Sequence, residues 1–197
     1  MDRVQRRAGS LAHSLVALVL LLAASVAFAQ TKVLRTAFLI AETNFDPARV
    51  DDLYSNNVME EILEAPLTYD FLARPAKLKP QTLEAMPEVS DGGKTYTLRV
   101  RKGIYFNDDP AFGGGKRELV AADYEYALKR LMDPKNASPN LWLIEGRIAG
   151  IEEAVARAKK AGRFDYGAKL PGIELVDRYT LRIHLAKADY NFLYILA

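Results

Sequence analysis

The chain has 197 residues, half of them hydrophobic, with 27 basic against 25 acidic side chains and no cysteine. Its core rather than a disulfide framework must therefore hold it together. A near-neutral balance gives no electrostatic case for nucleic acid, whose binders carry a basic face.

The first element is a leader. Arg3, Arg6 and Arg7 precede an apolar run from Leu15 to Ala24, and Ala27-Phe28-Ala29 then offers small residues around a cleavage point. That is the pattern of a secretory signal peptide over residues 1–29, and the run falls short of the roughly 20 apolar residues that a membrane-spanning helix needs. Removing Arg3, Arg6, Arg7 and Asp2 leaves the two signs of charge balanced. No Cys follows the cleavage site to carry a lipid, and no second long apolar segment follows. The mature protein is expected to be soluble and, in a bacterium, periplasmic.

"KVLRTAFLI", Lys32 to Ile40, is rich in β-formers and apolar after Thr36, as a strand buried on both faces would be. Asn44, Asp46 and Pro47 carry turn chemistry. Asp51 or Asp52 then caps a helix in which Tyr54, Val58, Met59, Ile62 and Leu63 recur at helical spacing, and Pro66 marks its end. "LTYD" is a short strand, and Phe71 to Gln81, with Pro75 and Pro80 and no clear period, reads as a surface connection. In "SDGGKTYTLRVRKG" the alternation puts Tyr96, Leu98 and Val100 on a dry face and Thr95, Thr97 and Arg99 on a wet one. Gly92-Gly93 supplies the positive φ of the tight turn before it.

"NDDPAFGGGKRE" is a loop whose three glycines do not fit the phosphate-loop pattern, since Lys116 is followed by Arg117 and no helix opens there. A helix from Ala121 to Met132 presents Tyr124, Leu128 and Leu131 on one side and stops at Asp133-Pro134. "IEEAVARAKKAG" is a second helix ending at Gly162, poor in large apolar groups and so expected on the surface. "GIELVDRYTLRIHL" gives two strands around Asp177-Arg178, with Leu181, Ile183 and Leu185 inward and His184 on the wet side.

Catalytic chemistry finds few parts. His13 leaves with the leader, so His184 is the remaining imidazole; no Gly-x-Ser-x-Gly elbow accompanies it and no second His or Cys completes a zinc set. The expectation is no catalytic residue, no metal, no cofactor and no enzyme. Among the paired carboxylates, Glu60-Glu61 and Glu152-Glu153 read as solvated helix faces. Asp51-Asp52 differs, because it lies where a strand-loop unit enters a helix, the place where α/β folds bind ligands. Trp142, the only Trp, reads either as a core anchor or as one wall of a cleft.

"AMPEVSDGGKTYTLRVRKGIYFND", "VAADYEYALKRLMDP", "NASP" and "GIELVDRYTLRIHLAKADYNFLYIL", in this order, resemble the family 5 extracellular solute-binding proteins, the oligopeptide and dipeptide receptors of ABC importers. The resemblance implies an α/β, periplasmic binding protein-like two-lobed fold of type II with an extra small domain. It implies that only the N-terminal part is present: residues 30–70 as the first segment of lobe I, 71–190 as a small extra α+β domain and 191–197 as the start of a truncated return to lobe I. It also implies a receptor, monomeric when full-length, that binds short peptides between two lobes and delivers them to an inner-membrane permease.

Other solutes (a nickel chelate, haem, an opine or a sugar) and a sensor role without transport are the alternatives. Carried over by position, the ligand-facing residues are Asp51, Asp52, Leu53 and the residue after Ser-Pro, which is Asn140 where relatives have Tyr; Trp142 joins them as the cleft wall.

Overall fold

The computed structural model describes residues 32–197; the leader and its cleavage point lie outside the described residues. Residues 40–197 belong to one compact unit, and residues 32–39 fall outside it.

The strand expected from Lys32 to Ile40 does not form. These residues carry no helix or strand, and Val33, Leu34 and Leu39 are 70, 88 and 92% exposed. β propensity expresses itself only where a neighbouring strand accepts the ladder and covers the side chains, and no described strand pairs with this segment.

Helix α1, Leu53–Ile62, precedes a hairpin of β1, Leu67–Tyr69, and β2, Leu78–Pro80. The second strand occupies part of the segment expected to be a plain connection. It is three residues long and ends at Pro80, so it has too few positions for any period to show. Next come β3, Glu88–Ser90, and β4, Thr95–Arg99, joined by a one-turn helix over Asp91–Gly93 in which Gly92 and Gly93 take φ of 59° and 89°.

Helices α2, Ala121–Met132, and α3, Ile151–Ala161, follow, and β5, Ile173–Leu175, and β6, Thr180–His184, complete the sheet. Its order is β3-β4-β6-β5, with every neighbouring pair antiparallel.

The register places Tyr96 opposite Ile183 and Leu98 opposite Leu181, with Ile173 on the far side of Ile183. All five are buried, and α2 packs over β5 and β6. Each such side chain contributes about 1.5–3 kcal/mol on leaving water, which makes this face the centre of stability.

Helix α3 is not merely superficial. Ile151, Ala154, Val155 and Ala158 are all buried, and the small side chains that weaken its sequence signal are what let its backbone lie close to the core. Gly162 ends it with φ 66°, its N–H reaching the Ala158 and Lys159 carbonyls, the left-handed terminus that glycine adopts without a Cβ penalty.

The opposite face of the sheet is drier than alternation suggests, since Thr95 and Thr97 are only 9% and 8% exposed. Long side chains on flanking strands cover them. Arg99 pairs with Glu88, while Glu174 receives both Arg182 at 2.8 Å and His184 Nε2 at 3.2 Å. His184 Nδ1 lies 3.3 Å from the Thr95 hydroxyl, so this imidazole belongs to a cross-strand polar network.

Candidate functional site

The loop that enters α1 is shaped by its own short polar side chains. The Asp46 N–H donates to Asn44 Oδ1 at 2.9 Å and the Ala48 N–H to Asp46 Oδ1 at 3.1 Å, the local bonding that makes Asn and Asp turn formers. Arg130 of α2 then grips Asp46 with both terminal nitrogens, at 2.7 and 2.6 Å. Two parallel charge-assisted bonds fix orientation as well as position. They also hold the Asp46 carboxyl below its usual range, with the Arg130 hydrogen bond the largest cause. Behind this clamp Ala48 and Val50 are buried.

Asp52 is the N-cap of α1. Its Oδ1 accepts from the Ser55 N–H at 2.8 Å and its Oδ2 from the Thr43 hydroxyl at 2.7 Å, while the Thr43 N–H donates to Ser55 Oγ. The Thr43 hydroxyl first, and the Ser55 N–H second, lower the Asp52 carboxyl from 3.8 to about 2. A carboxyl with a depressed folded pKa stabilises the fold above its unfolded value and loses that contribution as pH falls through the folded one. The cap is therefore intact at neutral pH and weakens as the pH drops from 3.8 toward 2. An NMR titration of Asp52 should show a midpoint near 2, moved toward 3.8 by Thr43→Val. A wild-type midpoint at the ordinary value would mean that the loop does not fold back on the helix.

With Asp52 engaged in this way, Asp51 and Leu53 are the members of the trio that face solvent, Leu53 at 67% exposure. Asn140 meets them from the other side of the chain. Its Nδ2 donates to the Val50 carbonyl at 2.8 Å and to the Pro47 carbonyl at 3.4 Å. Trp142, two residues further on, is 63% exposed and is not a core anchor. It sits in a one-turn helix, Leu141–Leu143, with three residues per turn. Leu141 and Leu143 on either side pack against the core, which leaves the Trp between them pointing away.

The structure thus gathers four sequence-derived residues around one hydrogen bond. Asp51 and Leu53 follow Val50 on one strand of chain, and Trp142 follows Asn140 on the other. Asp52 stands among them as a support. The Asp46–Arg130 clamp was not legible in the sequence, because its partners lie 84 residues apart and each has an adequate local explanation as turn former or helix surface.

A groove of about 470 Å3 opens beside this wall, lined by Pro47, Ala48, Phe106, Tyr126, Asn140 and Leu143 among others. Its charged lining is internally paired. Arg130 holds Asp46, and Arg117 is bonded to Asp123 while lying 4.4 Å from the Phe106 ring centre.

Residues 77–197 match the family model described as bacterial extracellular solute-binding proteins, family 5, middle region. The chain belongs to this family. Asn140 and Trp142 lie inside the matched family 5 region, and Asp51 to Leu53 precede it. Among curated family 5 relatives, the periplasmic oligopeptide-binding protein OppA of Haemophilus influenzae is 28% identical over 143 residues, 72% of this chain and 23% of that protein. Heme-binding protein A of the same organism is 28% identical over 153 residues, 78% of this chain and 25% of that protein.

Among solved structures, the peptide-binding pheromone receptor PrgZ superposes with a TM-score of 0.61 at 27% identity, over 77% of this chain and 26% of that one. The mixed α/β fold described above is thus that of periplasmic binding proteins, and the chain spans about a quarter of the length of these relatives.

Proposed function

We propose that this family 5 protein is a periplasmic receptor that binds short peptides and hands them to an inner-membrane ABC permease, without catalysing a reaction. Asp51, Leu53 and Trp142 form one wall of the ligand site, with Asp52 and Asn140 holding that wall in place. The observation that carries the reading is the Asn140–Val50 bond, which joins the segment entering α1 to the Trp142 turn within a family whose similar members include an oligopeptide-binding protein.

A wall of one carboxylate, one aliphatic and one indole suits an extended peptide. A ligand main chain takes strand-like hydrogen bonds from a receptor, and its side chains rest on apolar or hydrated surfaces. Closure around the ligand then shifts the receptor toward the form that a permease recognises, to the extent that the ligand prefers that form.

A second reading, haem as the solute, is supported by a relative of equal identity. Mass spectrometry of the small molecules that co-purify with the protein expressed from its complete gene separates the two. A ladder of short peptides is the expected result. Haem or another non-peptide solute, with no peptides, would overturn the peptide reading.

A further inference from the structure

We propose that the groove beside Asn140 is a specificity pocket for one large, uncharged apolar or aromatic side chain of the ligand, an inference that rests on the peptide-receptor reading. Asn140 belongs to both surfaces. It ties down the loop that carries Asp51 and Leu53, and it also lines the groove. The proposed wall and the groove therefore meet at Asn140.

The charged groups at the groove are already paired. Arg130 spends two nitrogens on Asp46, Arg117 is bonded to Asp123, and Asn140 Nδ2 donates to two backbone carbonyls. A charged occupant would have to break one of these pairs or go without a partner, and an unpaired charge removed from water is expensive. What remains on offer is uncharged and mostly apolar: Pro47, Ala48 and Leu143, with the rings of Phe106 and Tyr126.

Ligand pockets start at about 300 Å3, so the groove, at about 470 Å3, has room for one large side chain. That room exists because Ala127, an exposed residue of α2, lines the groove with no more than a methyl group.

The experiment uses the protein expressed from its complete gene and titrates tripeptides that differ only at the middle residue (Ala, Leu, Phe, Asp or Lys), read by calorimetry. Phe and Leu peptides should bind at least about tenfold tighter than the Ala peptide, the discrimination a methylene or two brings in an apolar pocket. Asp and Lys peptides should bind no tighter than the Ala peptide.

Ala127→Leu fills the groove from a helical position where Leu is well tolerated, and it should bring the Phe-to-Ala ratio close to one. Tyr126→Ala, at a half-exposed ring, should lower the same ratio by removing a wall. Equal binding of all five peptides by the wild type, or an unchanged ratio in both variants, would overturn the pocket while leaving the receptor reading intact. Failure of every peptide to bind would overturn both.

Discussion

Gly172→Ala should cost the fold about 2 kcal/mol or more, an effect at the upper end of what overpacking brings. Gly172 is buried immediately before β5, and its carbonyl accepts the His184 N–H of β6 at 2.9 Å. A Cβ placed there would stand 2.5 Å from Ile148 Cγ2 and 2.7 Å from the Ala149 nitrogen, with the Ala149 carbonyl oxygen closer still. None of these neighbours is free to move. Ile148 is fully buried and bridges to Leu185, and the Ala149 N–H donates to the His184 carbonyl at 2.9 Å.

The methyl group must therefore push a backbone segment away from the sheet edge. Restricting the unfolded chain returns less than about 1 kcal/mol, which does not offset the clash. In urea the midpoint should fall by about 1 M, given slopes of about 1–3 kcal/mol per molar for domains of modest size. A midpoint within error of wild type would show that the 148–149 segment is not packed on Gly172. The consequence for function runs through chain order, because the segment that would be displaced leads back to the Leu141–Leu143 turn and the proposed ligand wall.

Segments were legible in the sequence where one physical rule was sufficient. Helix α2 runs from Ala121 to Met132 as its apolar spacing and the Asp133-Pro134 stop require, and β6 follows a period of two because one of its faces meets a helix-covered core. Misreadings arise where tertiary context decides. The Lys32–Ile40 run has every local mark of a strand, yet a strand is a relation between neighbours, and no described strand stands beside it. Thr95 and Thr97 look solvent-facing by alternation, and only the arrival of Glu88, Arg182 and His184 from neighbouring strands shields them.

The candidate site divides in the same way. Asp52 was readable as a helix cap because capping is local. That it leaves Asp51 and Leu53 as the outward-facing pair depends on Thr43, Asn140 and Arg130, which come from three separate parts of the chain. The groove was invisible in the sequence because its walls are drawn from a turn, a loop, a helix and a second turn, none distinctive alone.

Tyr96→Ala should be more damaging still, at about 3–5 kcal/mol, the cost of replacing a buried aromatic by a methyl group. Tyr96 is fully buried in β4, its ring is 5.2 Å from that of Phe192, and its hydroxyl donates to the Asp189 carbonyl at 2.6 Å. The same Asp189 pairs through its side chain with Arg147, and its N–H reaches Gly93. One ring therefore fills the core and anchors the segment 189–196 across the sheet. Truncation removes both, and leaves a cavity between Phe192 and Ile183 of the facing strand.

Tyr96→Phe separates the two roles. It keeps the ring and deletes one hydrogen bond, so about 1 kcal/mol should be lost, with the Asp189 carbonyl left short of a donor. Since domains of this size are stable by only about 5–15 kcal/mol, the Ala variant should consume a large fraction of the margin and the Phe variant little of it. Chemical unfolding of both variants, with hydrogen exchange of residues 189–196, provides the measurement. The tail should lose protection in the Ala variant before the sheet does. Equal stability of the Ala and Phe variants would mean that the hydroxyl, not the packed ring, carries the anchoring, and that the tail is held chiefly by polar bonds.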